Sequence, residues 1–449
     1  MAVPSSALRI DSRTVLGIAV PMTLAFLTTP LIGIVDTAVI GHYGDPALMG
    51  GIAVAALIFD VVFSTFNFLR AGTTGLTAQA FGAGHRREMQ AALLRALVVA
   101  VLAGLVIVAL MVPLRRAGLA FIAPSDAVAD AASRYFDIRV LAAPATLANY
   151  ALLGWVLGLG RSGIALALQT LINGVNIGLS LLLGLALGWG IAGVAIAAVA
   201  GEGLGMLAAL VIAYRLGRGH WSPAVAALAD VHAFRRMAGV NADIMIRSFA
   251  LLFAFALFTR TGARFGDVTL AANAVLMNFF MVGGFFLDGL AAAAEQLVGR
   301  AVGARAADAF HATVRLTLMW SVGLAGLTSA AFWLGGPALI ATMTASAEVR
   351  ALAALYLPWA ALMPMFGVFA FEMDGVYIGA TWSRDMRNMM LLSLAVYTTL
   401  IAALVPVLGN HGLWLALAVF LGARGLTLGL RLPKLAAKTF ANRNDGIRS

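Results

Sequence analysis

The sequence predicts an all-α integral membrane protein, with twelve transmembrane helices arranged as two six-helix lobes that are related by a pseudo-twofold axis along the membrane normal. Three observations support this fold class. Of the 449 residues, 62% are hydrophobic and only 11% are charged, and the mean hydropathy is +0.95, which excludes disordered, fibrous and ordinary soluble proteins. Long apolar segments alternate with short charged connections. The two halves of the chain also repeat each other.

Twelve apolar segments follow one another along the chain, and each is long enough to cross a bilayer as a helix. The first resembles a signal peptide, but its apolar run is too long and contains Pro21, Pro30 and Asp36, so we expect a retained spanning helix. The segments lie at about 14–41, 48–70, 89–113, 135–160, 163–186 and 190–214, and then at about 236–262, 268–292, 309–335, 350–380, 386–408 and 411–432. The connection between these sets is polar and contains Gly and Pro. We therefore predict an N-lobe over 1–214, a cytoplasmic linker over 215–235, and a C-lobe over 236–449 that ends in a short cytoplasmic tail.

The net charge of +10 comes from basic residues that lie mostly in the short connections. Lys and Arg collect on the side that holds both termini and the even-numbered connections, although Arg115 and Arg116 lie on the other side. The positive-inside rule therefore places both termini in the cytoplasm, and we expect a multi-pass protein of the bacterial plasma (inner) membrane. Since this distribution explains the charge, the lipid bilayer is the expected partner and nucleic acid is not. The chain has no cysteine, so it offers no disulfide and no thiolate metal site.

The second half of the chain repeats the first at an offset of 221 residues. The glycine pairs that show the offset are Gly82 and Gly303, Gly154 and Gly375, Gly158 and Gly379, and Gly188 and Gly409, while Gly44 answers Gly266 at an offset of 222. Because each copy has six spans, an even number, both copies enter the membrane from the same side. A parallel repeat with a central cleft is the arrangement of an alternating-access transporter.

Asp36 breaks this symmetry, because its counterpart in the second half is Leu257 or Phe258. A carboxylate inside a span is costly, so it should face a cavity where it can take up and release a proton. We predict that Asp36 couples transport to proton movement; a purely structural bond to a neighbouring helix is the alternative. Upstream, Pro21 removes a backbone hydrogen bond and predicts a bend in the first helix.

Polar side chains also form a stripe along the fifth span. Their spacings of four, three and four residues place them on one helical face, which indicates a polar N-lobe cavity, although amides and hydroxyls also bond helices to one another in lipid. Asn149 in the fourth span is a further candidate for this cavity. The stripe consists of Gln169, Asn173, Asn176 and Ser180.

Charged residues cluster in the spans of the second half. The predicted C-lobe network comprises Arg247, Asp288, Glu295 and Asp374, with Asp243 and Glu372 nearby in sequence. Asp288 and Glu295 are seven residues apart and share a helical face. A charge-paired network that locks the lobe or gates its inner mouth is the favoured interpretation, and a second cation or proton site is the alternative.

These residues together resemble the multidrug and toxic compound extrusion (MATE) transporters, and within them the DinF subfamily. The resemblance covers essentially the whole chain. In the first half it rests on Pro21, VDTAVIGH at 35–42, AQAFGAG at 78–84, NY at 149–150, LGW at 153–155, Asn173, NI at 176–177 and GWGIAG at 188–193. In the second half it rests on DG at 288–289, AE at 294–295, DG at 374–375 and IGAT at 378–381.

The resemblance implies two lobes around a V-shaped cleft, and export of organic cations or amphiphilic toxic compounds in exchange for protons or sodium. By position it implies protonation of Asp36, bending at Pro21, and an N-lobe cavity that contains Asn176. Four residues after that asparagine the family usually has an aspartate, where this chain has Ser180. Because the departure removes a carboxylate, we favour proton coupling over sodium coupling.

Two alternatives remain open beside the proton-coupled exporter. A sodium-coupled exporter of the same fold is one, and a flippase for lipid-linked precursors is the other, although a flippase should have a strongly cationic central cavity. No enzymatic activity is expected, because the chain has no metal-ligand spacing of histidines, no phosphate-binding loop with Lys and no nucleophile elbow. We expect a monomer that uses no cofactor and no bound metal.

Overall fold

The computed structural model describes residues 10–217, 221, 225, 228 and 230–441. Parts of the predicted linker, at 218–220, 222–224, 226–227 and 229, lie outside the described residues, as do 1–9 and the end of the predicted tail at 442–449. The regular structure of the described residues is helical throughout. The helices of the first half are α1 (Ser12–Gly41), α2 (Pro46–Ser64), α3 (Phe68–Gly82), α4 (Arg86–Ala109), α5 (Met111–Ile122), α6 (Asp126–Arg139), α7 (Ala143–Gly158), α8 (Ser162–Leu179) and α9 (Gly190–Leu216). Those of the second half are α10 (Val231–Ala263), α11 (Asp267–Gly303), α12 (Ala307–Met343), α13 (Ala347–Gly379) and α14 (Ser383–Phe440).

Eleven helical segments among these residues are long and apolar enough to cross a membrane. The last of them, α14, has 58 residues, about twice the length that a bilayer needs. Its backbone leaves helical geometry at Gly409, where φ is 55°, so it comprises two spans that meet where segments 386–408 and 411–432 were predicted to be separate. The predicted all-α membrane fold with twelve spans is therefore confirmed.

Several predicted segments differ from the observed helices in their bounds. The eighth was predicted to end near residue 292, but α11 continues to Gly303 because helix-favouring residues such as Ala294, Glu295 and Gln296 follow that point. The second is divided into α2 and α3 by a turn at 65–67. The fourth begins earlier, at Asp126, and is interrupted by a 3-10 turn at Val140–Ala142, just before Pro144.

Polar side chains fix the starts of several helices by satisfying backbone N–H groups that have no intrahelical partner. Asp45 accepts from the Ala47 N–H at 2.8 Å, immediately before Pro46 at the first position of α2. Asp11 accepts from the Thr14 N–H at 2.8 Å and from its hydroxyl at 2.7 Å. These two bonds hold the pKa of the exposed Asp11 carboxyl below its usual value. The first turn of α1 therefore begins at a defined residue outside the span.

The repeat is visible in the backbone conformation. Residues with positive φ occur at equivalent helix ends of the two halves, where the chain must reverse direction. The pairs are Gly84 (72°) and Arg305 (52°), Gly160 (75°) and Thr381 (55°), and Gly188 (71°) and Gly409 (55°), all at the 221-residue offset, together with Gly44 (66°) and Gly266 (94°) at 222. The two halves thus share turn geometry as well as residue types.

Close helix crossings also recur at this offset. A Cβ atom added to Gly154 would lie 2.3 Å from the carbonyl oxygen of Arg70, and one added to Gly375 would lie 2.2 Å from that of Ala291. No side chain fits at such distances, so glycine lets the helix backbones touch. Because Arg70 and Ala291 are themselves equivalent, the two halves use the same crossing.

The chain divides into two compact units. The N-unit comprises Leu24–Phe81 and His85–Ala238, and the C-unit comprises Met1–Thr23, Gly82–Gly84 and Gly239–Ser449. One boundary falls inside α1, between Thr23 and Leu24. The lobe bounds read from the sequence stay predictions.

Candidate functional site

The N-unit holds Asp36 inside α1, where the carboxyl group is buried, with 3% of the residue exposed. Ser180, at the end of α8, donates its hydroxyl hydrogen to Asp36 Oδ1 at 2.9 Å. The same hydroxyl oxygen lies 3.3 Å from Asn176 Oδ1. Among the residues that the structure describes, no basic group lies within the 4.0 Å of an ion pair with Asp36. The arrangement is a buried carboxylate that meets a hydroxyl and lacks a counter-ion.

The backbone changes geometry where Ser180 contacts Asp36. Helix α8 ends at Leu179, and residues Ser180–Ala186 continue as a π-helix. Such wide turns leave carbonyl groups without regular partners and are frequent at functional sites. Tyr43 compensates here, because its hydroxyl donates to the Gly184 carbonyl and accepts from the Gly190 N–H.

The predicted polar stripe on α8 forms two hydrogen-bonded groups, and each of them reaches α1. Gln169 donates to Asn173 Oδ1 at 2.9 Å, and Asn173 donates to the Thr28 hydroxyl of α1 at 2.7 Å. Asn173, Asn176 and Ser180 are buried. The stripe therefore lies against α1, which is the helix that carries Asp36.

Asn149 does not bond to the stripe. Its amide nitrogen donates instead to the Glu202 side chain on α9 at 2.6 Å and to the Glu202 carbonyl at 2.9 Å. Its Oδ1 atom is buried and has no hydrogen-bond partner among the described residues. Asn149 and Glu202 thus form a second polar group in the N-unit, and no sequence pattern predicted this pair.

Sequence reasoning also missed Arg139, a cation inside the fourth predicted span. Arg139 donates to the Tyr135 hydroxyl at 2.7 Å, and its guanidinium lies 4.9 Å from the centre of the Phe59 ring. Within the described ranges Arg139 makes no ion pair. The signal was available, since an ionisable residue inside a span is a functional candidate by default.

In the C-unit, two arginines converge on one carboxylate. Arg247 of α10 and Arg424 of α14 both donate to Asp374 Oδ2, the second at 2.7 Å. Arg424 is 4% exposed, so this is a buried ion triad. Arg424 was not predicted, although it too lies inside a predicted span.

The other predicted C-lobe residues lie on α11. Glu295 is buried and Asp288 is half-buried, and their place in the predicted network stays a prediction. The predicted bend at Pro21 also stays a prediction; α1 is continuous through this residue.

Comparison with known proteins gives a consistent result. The MatE family model matches residues 21–182 and 244–404. DNA damage-inducible protein F of Escherichia coli (strain K12) is 39% identical over 412 residues, which cover 92% of this chain and 90% of that protein. The probable multidrug resistance protein NorM of Deinococcus radiodurans is 28% identical over 447 residues, which cover 95% and 96%.

A solved structure shows the same fold. The Vibrio cholerae MATE transporter VcmN in the bent form is similar with a TM-score of 0.87 and 19% sequence identity, over 97% of this chain and 98% of that chain. The family resemblance read from the sequence is confirmed, because the family model covers more than half of the residues. This chain belongs to the MATE (MatE) family of secondary transporters, and is not an enzyme.

Proposed function

We propose that this chain exports organic cations or other amphiphilic toxic compounds in exchange for protons, and that Asp36 is the group that binds the proton. The observation that carries the proposal is the state of the Asp36 carboxyl, which is buried and contacts the Ser180 hydroxyl but no basic side chain among the described residues. A carboxylate without a counter-ion in an apolar region gains stability by binding a proton or a cationic ligand.

Competition between these two ligands is sufficient for exchange. A cationic substrate and a proton that neutralise the same carboxylate cannot both be bound there, so each favours release of the other. The polar stripe Gln169, Asn173 and Asn176 would line the cavity beside Asp36 and offer hydrogen bonds. No covalent step is needed.

The bend at Pro21 is part of the proposal. Proline removes one backbone hydrogen bond from the helix and favours a kink. A bend of α1 would change what surrounds Asp36, and so link protonation to access.

Sodium is the alternative coupling ion. The serine at position 180 supports the proton, because Ser180 supplies a neutral hydroxyl where the family usually has an aspartate, and carboxylate oxygens are stronger ligands for a hard cation. In the C-unit, we propose that the ion pairs of Asp374 with Arg247 and Arg424 form a fixed charge-paired network, with Asp288 and Glu295 on the adjoining helix.

We also propose that the transporter is a monomer in the bacterial inner membrane with both termini in the cytoplasm. The distribution of Lys and Arg among the connections supports this orientation. Homology to a protein of Escherichia coli supports the bacterial membrane.

The test is efflux of a fluorescent organic cation from vesicles that carry an imposed proton gradient, with and without sodium. We expect native efflux to need the proton gradient, and the Asp36→Asn variant to lose this dependence. Asp126→Asn, a change of an exposed carboxylate at the start of α6, is the matched control and should transport like the native chain. If Asp36→Asn remains driven by the gradient, the proposed role of Asp36 is wrong.

A further inference from the structure

A second buried carboxyl group lies in the C-unit, on α13. Glu372 is 1% exposed and lies seven residues before the end of the helix at Gly379, about 10 Å along the axis. Its carboxyl oxygens contact two hydroxyl groups of α12. One is Thr317, and the other is Ser321, whose hydroxyl lies 2.9 Å from Glu372 Oε2.

No positive charge neutralises Glu372 among the residues that the structure describes. Asp374, two residues after Glu372 on α13, is bonded to Arg247 and Arg424, and neither arginine pairs with Glu372. Other charged groups on the helices packed against α13 include Asp308, His311 and Arg315 on α12, Asp288, Glu295 and Arg300 on α11, and Asp385, Arg387 and Arg431 on α14. Within the described ranges none of the basic ones forms an ion pair with Glu372. An ionised carboxylate in such a place is far more costly than a neutral carboxylic acid.

The hydrogen-bond geometry of Thr317 fits a protonated Glu372 carboxyl. A threonine hydroxyl has one hydrogen and can donate only once. The Thr317 hydroxyl is 2.9 Å from the Thr313 carbonyl, one turn earlier in the same helix, in donor geometry. If it donates to that carbonyl, its contact with Glu372 Oε1 needs a hydrogen from Glu372, while Ser321 donates to Oε2. The count closes when the Glu372 carboxyl is protonated.

The internal repeat shows that packing does not require this polar group. At the equivalent crossing of the first half, between α4 and α7, all three positions are buried alanines. The residues that stand 221 positions before Thr317, Ser321 and Glu372 are Ala96, Ala100 and Ala151. Since the equivalent helix pair of the first half packs with alanines at these positions, close packing alone does not explain the carboxyl group and the two hydroxyls of the second half.

We propose that Glu372 is a second proton-binding site of this transporter, which carries a proton in the closed packing of α12 against α13 and releases it to water when Thr317 and Ser321 are drawn away. The step breaks only the carboxyl O–H bond and leaves a carboxylate. Its role in transport rests on the proposed proton coupling, but the protonation of Glu372 does not.

Infrared difference spectroscopy of the purified protein tests the protonation directly. Comparison of the native chain with Glu372→Gln should reveal a carboxylic-acid carbonyl band in the native spectrum that the variant lacks, and this band should fall as the pH is raised from mildly acidic to alkaline. Asp385→Asn is the control, because Asp385 pairs with Arg431 and should lose a carboxylate band instead. Loss of only a carboxylate band from Glu372→Gln, or an acid band that does not respond to pH, overturns the proposal.

Two further measurements distinguish proton binding by Glu372 from proton binding by Asp36, and from a purely structural role of Glu372. The triple variant Thr317→Ala, Ser321→Ala, Glu372→Ala copies the first half and should fold with nearly native thermal stability. Strong destabilisation would show a structural role and contradict the proposal.

In vesicles, Glu372→Gln should lower the number of protons exchanged per substrate by about half, since one of two proton-binding carboxyls is lost. An unchanged ratio in Glu372→Gln overturns the second site alone, whereas an absence of proton exchange in the native chain overturns the proposed function and leaves the infrared result standing.

Discussion

Charge neutralisation separates Asp36 from Asp374, the two acids in spans that the sequence singles out most clearly. Asp374 accepts hydrogen bonds from two arginines, whereas Asp36 accepts one from a serine hydroxyl. A carboxylate that is bonded to two cations already has its counter-ions. We therefore propose proton exchange at Asp36 and a structural role for Asp374.

Removal of charge from the C-unit triad should destabilise the protein in a way that depends on which member is removed. Asp374→Asn leaves Arg247 and Arg424 without their shared anion, and we expect a loss of about 3–5 kcal/mol in the free energy of unfolding. Arg424→Met leaves the pair of Arg247 with Asp374 and should cost less. Thermal unfolding of the detergent-solubilised variants measures the difference. A smaller loss for Asp374→Asn than for Arg424→Met would contradict a triad held by Asp374.

Ser180 should determine which ion the N-unit binds. The Ser180→Asp variant places a second carboxylate beside Asp36, whose Oδ1 is 2.9 Å from the native hydroxyl oxygen, and paired carboxylates attract a metal cation. We expect substrate efflux by this variant to increase several-fold with sodium, while the native chain is unaffected. Ser180→Asn has the same shape without the charge and is the control. An equal response of both variants to sodium would mean that the second charge is not responsible.

The single residues that could be predicted were those that form a pattern. The stripe on α8 has helical spacing, and Asp36 interrupts an apolar run, so both were found. Arg139 was not predicted, although its partner Tyr135 lies one turn earlier on the same helix. Glu202 and Arg424 were not predicted either, because the partner of each lies on a helix that is distant in sequence. Partners of this kind depend on helix packing, which local periodicity does not contain.

The helix crossings depend on glycine at equivalent places, and this gives a test of packing. Gly375→Ala would place a methyl group 2.2 Å from the Ala291 carbonyl oxygen, so α11 and α13 must separate, at a cost of about 1–3 kcal/mol. Gly154→Ala should cost a similar amount in the N-unit. Gly323→Ala, where an added Cβ would meet no atom within 4 Å, should be neutral or stabilise by up to ~1 kcal/mol. Equal thermal stabilities of Gly375→Ala and Gly323→Ala would disprove the crossing.

The positions of the helices could be predicted from the lengths of the apolar segments, but the residues at which the helices end could not. Helix α11 continues about three turns past its predicted end near residue 292, because charged residues such as Glu295 and Arg300 do not end a helix. The break in α14 was anticipated by Gly409, which repeats Gly188 and can adopt positive φ at little cost. The π-helix at Ser180–Ala186 has no comparable signature, since its residues are ordinary apolar ones with one serine and one glycine.

For the molecule as a whole, the repeat is the feature that sequence and structure share most completely. Turn conformations and glycine crossings recur at one offset, while the proposed proton-binding residues do not. The first half has Asp36 where the second has an apolar residue, and the second half has Glu372 where the first has Ala151. A common scaffold with two different acids explains how one fold can hold distinct ion sites in its two halves.

Substrate-driven proton movement tests the central claim most directly. Vesicles that contain the purified native protein and a pH-sensitive dye, without sodium and without an imposed pH gradient, are given a gradient of an organic cation. The account predicts that protons move against the flow of the cation in native vesicles, and that this movement is absent with Asp36→Asn. Cation transport by the native protein with no opposing proton movement would contradict it.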